Sequence, residues 1–358
     1  MKLVIFGLSV SSSWGNGHAT LWRGLIRALS RLGHHVVFYE RDVPYYAEHR
    51  DLPQLSEGEL RLYRSWDEVW RQASSDLESA DAGMVTSYCP DGIPATDLVL
   101  SSSATVKLFY DLDTPVTLVR LRNGEAVPYI PEAGLAGFDL VLSYTGGTAL
   151  TELKQRLGAR RVAPLYGSVD PAIHFPVAPA DHYRADLSYL GTYADDRQEA
   201  LVRLFVEPAR RLPGRRFLIG GAQYPAGFPW SDNIYFVRHL PPSEHPAFYC
   251  SSRVTLNVTR LPMAEMGYCP SGRLFEAAAC AAPVLTDSWD GLSEFFEPGT
   301  EILVASSGED VIGALELPDR DLAHLGKAAR DRVLAEHTAD RRATQFVAAL
   351  ESALSVEA

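Results

Sequence analysis

Short apolar runs alternate with longer amphipathic segments along most of the chain. The first run, LVIFG at 3–7, is typical of a strand that is buried on both faces. The segment that follows has apolar residues at helical spacing, ends at Gly33 and precedes a second apolar run, HVVFY. This pattern predicts a βαβ unit. Its right-handed crossover places residues 8–18 at the carboxyl edge of a parallel sheet, where ligands bind.

The same alternation predicts further strands and helices in both halves of the chain. In the first half, AGMVTSY, VKLFY and FDLVLSY are predicted strands, and 67–79 and 147–157 are predicted helices. Residues 161–183 are rich in proline and lack helical periodicity, so they are predicted to link two domains. A second series begins with DLSYLG at 186–191. It ends in a helical stretch from 319 onward that is interrupted near His337 and Thr338.

The predicted fold class is therefore α/β, with two Rossmann-like, doubly wound domains that face a central cleft. The N-terminal domain is predicted to span 1–168, with 338–358 packing back on it. The C-terminal domain is predicted to span 169–337.

Composition and charge restrict the class of protein. The chain has 358 residues, 46% of them hydrophobic and 22% charged, which is typical of a globular protein. A formal net charge of -12 argues against a nucleic-acid partner. No apolar segment is long enough for a membrane span, and the N-terminus lacks a signal-peptide cleavage pattern. The cysteines form no CxxC pair, which predicts free thiols and a cytoplasmic protein. They are Cys89, Cys250, Cys269 and Cys280.

Two groups of polar residues are expected at the carboxyl edge of the first sheet. In SVSSSWGNGHAT, Gly15 and Gly17 allow a ligand to approach the backbone, and His18 begins a helix. The spacing is not that of a dinucleotide fingerprint, and a capping or packing histidine is an equal alternative. Asp111 and Asp113 follow a predicted strand and are candidates for a base or for a sugar-orienting group, or else they cap a turn.

The most informative segment is CPSGRLFEAAACAAPVLTD at 269–287. Ser271 and Gly272 precede a helix that carries Arg273 and Glu276 in its first turns. An anion there would meet backbone N–H groups, the helix dipole and a guanidinium, and the carboxylate could accept two neighbouring hydroxyls. The alternative is a solvated surface pair, which explains neither the apolar neighbours nor the tight entry into the helix.

Several blocks together resemble bacterial glycosyltransferases of the GT-B fold, in the spore-maturation-protein-like (CgeB-like) branch related to glycosyltransferase group 1. The blocks are SSSWGNGHATLWRGLIRAL, FYDLDTPVT, GSVDPAIHFPV and GRLFEAAACAAPVLTDSWDGLSEFFEPGTEILV. The resemblance covers nearly the whole chain. It implies a metal-independent, hexosyltransferase-type enzyme without a cofactor, which uses a nucleotide-diphosphate sugar as co-substrate.

The resemblance also implies roles for individual residues. Glu276 matches a glutamate that binds the ribose of the donor, and Arg273 and Arg197 match positions that approach its diphosphate. His239 and Leu240 fall in the loop that frames the nucleobase. The Gly15 to Gly17 turn and His18 match a loop that faces the transferred sugar or the acceptor. Further expected contacts to the acceptor or sugar are Trp14, Asn16, Tyr144, Gly146 and Gly147.

The sequence departs from the family pattern at one position. The family's Glu-x7-Glu motif would place its first glutamate at 268, where this chain has Tyr268. Whether transfer inverts or retains configuration is therefore open. An inverting enzyme needs a base, for which His18 comes first and Asp113 and Asp111 follow; in a retaining enzyme the leaving phosphate serves.

Other functions fit the same residues. A nucleotide-sugar epimerase or a sugar phosphorylase would use the same fold, and a non-catalytic partner protein would keep the fold without the chemistry. The acceptor is equally open among natural products, saccharides and protein side chains.

Overall fold

The computed structural model describes residues 1–354, which divide into two compact units. Unit 1 is Met1–Tyr166 together with the C-terminal stretch that begins at Ala339, and unit 2 is Gly167–Thr338. Residues 355–358, the end of the segment predicted to pack back on the N-terminal domain, lie outside the described residues.

Unit 1 is built on a seven-stranded parallel sheet with the order β3-β2-β1-β4-β5-β6-β7. The order reverses beside β1, so neighbouring crossovers lie on opposite faces of the sheet. The strands are β1 (Lys2–Gly7), β2 (His35–Arg41), β3 (Glu59–Tyr63), β4 (Ala82–Thr86), β5 (Val106–Asp111), β6 (Leu140–Ser143) and β7 (Val162–Pro164).

Helices cover both faces of this sheet. Along β1, Leu3 and Ile5 belong to one apolar cluster, whereas Val4 and Phe6 belong to another. This alternation is what a doubly wound sheet requires. The helices of unit 1 are α1 (Gly17–Arg31), α2 (Pro44–Ala47), α3 (Trp66–Glu78), α4 (Gly92–Ser101), α5 (Thr114–Arg122), α6 (Thr148–Leu157) and, from the C-terminus of the chain, α14 (Ala339–Leu354).

The C-terminal helix α14 returns to unit 1 and packs against α1, as the sequence predicts. Phe346 and Leu350 join the apolar cluster that contains Leu25 and Leu29 of α1. Arg31 and Asp340 form an ion pair at 2.6 Å beside this contact. Buried apolar area, rather than this exposed pair, supplies most of the stabilisation.

Unit 2 has a six-stranded parallel sheet with the order β10-β9-β8-β11-β12-β13. Its strands are β8 (Ala185–Leu190), β9 (Phe217–Gly221), β10 (Ile234–Arg238), β11 (Ser252–Asn257), β12 (Val284–Thr286) and β13 (Leu303–Val304). Its α-helices are α7 (Gln198–Leu201), α8 (Glu207–Arg211), α9 (His245–Cys250), α10 (Leu261–Met266), α11 (Gly272–Ala279), α12 (Gly308–Glu316) and α13 (Asp319–Glu336). A π-helical turn at Val202–Val206 joins α7 to α8, so the helix expected near 195–211 is present but irregular.

Two edge elements differ from the sequence-based expectation. Residues 162–164, expected to begin the linker, form the edge strand β7, and the short β3 at the opposite edge was not foreseen. Pro164 is compatible with β7 because an edge strand pairs on one side only. Strand β3 contains Glu59 and Arg61, and an edge position accommodates this polar composition.

Candidate functional sites

Glu40, at the end of β2, holds the first glycine-containing loop in place. Its carboxylate is fully buried and accepts hydrogen bonds from four donors: the hydroxyls of Ser9 and Ser11 and the backbone N–H groups of Val10 and Ser11. The distances lie between 2.6 and 3.0 Å. The run of serines in this loop therefore pairs with a buried charge on the neighbouring strand.

The rest of the loop is held by its own side chains. Asn16 caps α1: its side-chain oxygen accepts from the backbone N–H of His18, and its amide donates to the carbonyls of Ser9 and Ser12. The ring of Trp14 stacks on the ring of His49 at 3.9 Å. Asn16 and Trp14, both expected to contact sugar or acceptor, thus also have structural roles.

The two glycines of this loop differ in conformation. Gly15 has a φ of 59°, a left-handed conformation that glycine adopts at little cost. Gly17 is exposed, and a Cβ placed on it would meet no atom within 4 Å. The backbone is therefore open at the N-terminal end of α1.

His18 lies beside the carboxylate of Asp113, with 3.7 Å between His18 Nε2 and Asp113 Oδ2. The other ring nitrogen, Nδ1, is buried and has no hydrogen-bond partner among residues 1–354. Tyr88 completes the group: its ring centroid is 5.9 Å from that of His18, and its φ is 62°. Burial, and then the charge of Asp113, raise the pKa of Tyr88 well above its ordinary value, so its hydroxyl keeps its proton.

Asp111 ends β5 and is fully buried. Its Oδ1 accepts from the backbone N–H of Asp113 at 3.1 Å, whereas its Oδ2 is buried without a partner among the described residues. Burial raises the pKa of Asp111 to about 6, against the opposing effect of its hydrogen bonds. Such a carboxyl can gain and lose a proton near neutral pH.

The structure therefore brings the three predicted catalytic residues of unit 1 to one sheet edge. Tyr144, Gly146 and Gly147 follow β6 at the same edge. Gly147 has a φ of 57° and precedes α6. A Cβ on Gly146 would lie 2.0 Å from the hydroxyl oxygen of Tyr166, so a larger residue would have to displace that ring.

In unit 2, helix α11 begins at the predicted place, and Ser271 caps its N-terminus. The hydroxyl of Ser271 accepts from the backbone N–H of Arg273, and Gly272 is the first residue of the helix. Glu276, one turn further, is buried rather than on a solvated surface. The alternative of an exposed Arg273–Glu276 pair is therefore wrong for Glu276.

The Glu276 carboxylate is surrounded by polar rings. His245 Nδ1 lies 3.6 Å from Glu276 Oε2, and the hydroxyl of Tyr249 donates to the same oxygen at 3.5 Å. The buried His174 also lies near it. Burial alone would raise the pKa of Glu276, but His174, His245 and Arg273 outweigh it and lower the pKa to about 2. Glu276 is therefore an ionised acceptor.

Arg197 lies after β8 and donates from Nη1 to the hydroxyl of Tyr189 at 3.1 Å. Its Nε is buried and lacks a partner among residues 1–354, which is unusual for a guanidinium. The charges of both Arg197 and Arg273 act on the hydroxyl of Tyr224. Two cations from different elements therefore lie near one tyrosine, an arrangement suited to an anion with several oxygens.

His239 and Leu240 follow β10. His239 has a φ of 46°, and its backbone N–H donates to the carbonyl of Gly221. The carbonyl of Leu240 lies 3.2 Å from His245 Nε2. This loop is thus linked through His245 to Glu276.

Tyr268, at the position where the family pattern has a glutamate, lies in a strained turn before α11. Its φ is 49°, and that of Gly267 is 70°. The ring packs on Gly291, where an added Cβ would lie 2.5 Å from Tyr268 Cδ1. The backbone N–H of Tyr268 donates to the carbonyl of Asp290 at 2.6 Å, which ties the turn to that segment.

One group of side chains in the described part of the chain combines ligand types that metals prefer, namely His174, His245 and Glu276. Their ligand atoms lie within 4.8 Å of one another. Two imidazole nitrogens and a carboxylate oxygen are a donor set of the kind that zinc takes.

Sequence reasoning missed Glu40, Tyr88, His174 and His245. The alternation of polar and apolar residues marks Glu40 only as an interruption in a buried strand. Tyr88 lies in a turn, and the two histidines meet Glu276 only through tertiary packing. A buried charge needs partners, and the alternating serines Ser9 and Ser11 are the one local signal that pointed toward Glu40.

Comparison with known proteins bears on the family of one segment and on the fold of the chain. Residues 197–348 match the family described as glycosyl transferase-like, and this segment contains Arg197, Arg273 and Glu276. No curated protein matches the chain by sequence. Among residues 1–354, no helix is both long and apolar enough to cross a membrane.

Several solved structures share the fold over the whole chain. Sucrose-phosphate synthase from Thermosynechococcus elongatus aligns with a TM-score of 0.70 at 15% identity, over 99% of this chain and 100% of that one. HepE from Anabaena, in complex with UDP-glucose, aligns with a TM-score of 0.65 at 12% identity, over 98% of this chain and 100% of that one. An alpha-glucosyltransferase in complex with UDP-glucose and DNA containing an abasic site aligns with a TM-score of 0.71 at 11% identity, over 98% of this chain and 99% of that one.

At these identities the structural likeness establishes the fold and no more. It confirms the predicted GT-B type of fold, with two Rossmann-like parallel sheets and a C-terminal helix that packs on α1. The spore-maturation-protein-like branch and the roles of individual residues stay predictions. The conclusion from fold and family together is that this is a GT-B-fold chain whose segment 197–348 matches the family described as glycosyl transferase-like.

Proposed function

We propose that this protein is a glycosyltransferase that moves a sugar, of hexosyl type, from a nucleotide-diphosphate sugar to an acceptor nucleophile. The observation that carries the proposal is the group formed by Arg197, Arg273 and Glu276 at one sheet edge of unit 2. This group lies in the segment that matches glycosyl transferase-like proteins. Its cations suit a diphosphate, and its ionised, buried carboxylate suits a pair of hydroxyls.

Unit 2 binds the donor in this proposal. Arg197, Arg273 and the free N–H groups at the start of α11 take the diphosphate, and Glu276 takes the ribose hydroxyls. These positive groups stabilise the negative charge that develops on the leaving nucleoside diphosphate, which lowers the barrier to transfer. His239 and Leu240 border the nucleobase. No step requires a bound metal ion.

Unit 1 binds the acceptor. His18, Asp113 and Asp111 are the candidates for a base that removes the acceptor proton, and the raised pKa of Asp111 supports proton transfer near neutral pH. The open backbone at Gly15 and Gly17 and the turn at Gly146 and Gly147 leave room for a sugar or an acceptor. The remaining polar residues of the loop, Trp14, Asn16 and Tyr144, border this region. We propose a small molecule, saccharide or protein side chain as acceptor.

A panel of UDP-, GDP- and dTDP-sugars tests the proposal, with and without EDTA. Thermal shift and release of nucleoside diphosphate are followed for the wild type and for Glu276→Gln and Arg273→Ala. One nucleotide family is expected to stabilise the wild type selectively, with EDTA making no difference and both variants losing the shift. If no nucleotide stabilises the folded wild type, the proposal is wrong. Donor turnover without any acceptor would favour an epimerase.

A further inference from the structure

The Glu276 carboxylate sits between two histidine rings that come from different parts of unit 2. His245 is the first residue of α9, and His174 lies in the stretch before β8. The two ring centroids are 5.7 Å apart. Neither histidine belongs to the helix that carries Glu276, so the contact has to be built by tertiary packing.

His245 lies between two acceptor oxygens. Its Nε2 lies 3.2 Å from the carbonyl oxygen of Leu240, and its Nδ1 lies 3.6 Å from Glu276 Oε2. The second distance is longer than a hydrogen bond, and Nδ1 is buried without a hydrogen-bond partner among the described residues. The contact of Nε2 with the Leu240 carbonyl therefore holds the ring, and the other nitrogen lies beside the carboxylate.

His174 also lies near the Glu276 carboxylate. Its side chain is 1% exposed, and both of its ring nitrogens lack hydrogen-bond partners among the described residues. Burial lowers the pKa of His174, while the charges of Glu276 and Asp170 oppose that effect. A buried ring with two unpaired nitrogens is costly unless a charge nearby makes use of it.

We propose that His245 and His174 are positioning residues that hold the Glu276 carboxylate oriented toward two neighbouring hydroxyls of the donor's ribose. This inference rests on the proposed function, because it assigns the ribose to Glu276. The histidines do not touch the reacting atoms. They act through Glu276 on the affinity for the nucleotide.

The experiment compares affinities for two ligands of the full-length protein by calorimetry. One is the nucleoside diphosphate, UDP or GDP, that stabilises the wild type more, and the other is its 2′,3′-dideoxy analogue. Their affinity ratio isolates the ribose hydroxyls and cancels the titration of the phosphate itself. The wild type is expected to prefer the ribonucleotide by about 10- to 100-fold, as the loss of charged hydrogen bonds implies.

The variants are His245→Gln, His174→Phe and, as a control, His324→Gln on the exposed surface of α13. Both site variants are expected to reduce the ratio to below about 3-fold while the dideoxy affinity changes little. The control should match the wild type.

The possible failures are distinguishable. If neither ribonucleotide binds the wild type, or if binding shows no preference for the ribose hydroxyls, the assignment of ribose to Glu276 is wrong and this inference falls with it. If the wild type discriminates but both site variants keep the full ratio, the positioning role alone is wrong. Stoichiometric zinc uptake that His174→Phe abolishes would also overturn it, because a metal would then occupy these nitrogens.

Discussion

Replacing Glu40 should destabilise unit 1 more than any change of an exposed carboxylate. Glu40→Ala removes the acceptor of four hydrogen bonds at a fully buried position. The hydroxyls of Ser9 and Ser11 can rotate, and Ser11 also accepts from Arg50. The backbone N–H groups of Val10 and Ser11 cannot rotate and would be left unpaired.

The expected magnitude follows from these two N–H groups and from the space left behind. An unsatisfied buried donor costs about 1 to 3 kcal/mol, so the variant should lose about 3 to 5 kcal/mol. For a unit of this size, that is a decrease in Tm of roughly 10 °C. Glu40→Gln keeps one acceptor oxygen but loses the charge, so about half of this loss is expected.

Urea unfolding and amide hydrogen exchange measure the effect. Faster exchange should be concentrated at Val10 and Ser11, because their amides lose their acceptor. Glu48→Gln, at an exposed position shortly after β2 in the sequence, is the matched control. It should change stability by less than about 0.5 kcal/mol. If Glu40→Ala unfolds like the control, the buried carboxylate does not hold this loop and the argument is refuted.

Three further predictions follow from the pKa values and the unpaired groups. Asp111→Asn should stabilise the protein by about 2 to 3 kcal/mol above pH 6. Burial raises the pKa of this carboxyl to about 6, so its contribution to stability is lost as pH rises through that value. The gain should vanish below about pH 4 in thermal unfolding. Burial would raise the pKa of Asp51, but Arg23 and Ser13 lower it to about 2. Its contribution to stability, about 1 kcal/mol after a discount for exposure, is therefore present above about pH 4 and lost as pH falls toward 2. Asp51→Asn should flatten that part of the acid-unfolding curve, and an unchanged curve would count against the contact. Arg197→Gln should weaken nucleoside-diphosphate binding by about 10- to 100-fold in calorimetry, and unchanged affinity would remove this residue from the donor site.

The sheets and most helices could be predicted because their signals are local. LVIFG and the helix after it carry their periodicities within a few residues, and Gly33 ends that helix as predicted. The cap of α11 by Ser271 is equally local. The edge strands β3 and β7 were missed because exposure removes the apolar pattern on which strand prediction depends.

The chemistry of the sites was predictable only where motif and strand end coincide. The position of three site residues at a sheet edge could be inferred from the sequence. Asp111 and Asp113 lie at the end of a predicted strand, and Glu276 lies near the start of a predicted helix. The environment of Glu276 could not be inferred, because His174 and His245 are 71 residues apart. Their meeting depends on how α9 and the stretch before β8 pack.

The central claim is that unit 2 binds a nucleoside diphosphate through Arg197 and the start of α11. Hydrogen–deuterium exchange of the full-length protein, with and without UDP or GDP, tests it most directly because it locates the bound nucleotide. We predict slower exchange at residues 191–198 and 268–280 with one of the two nucleotides, and loss of that protection in Glu276→Gln. Protection confined to unit 1, or none at saturating nucleotide, would contradict the account.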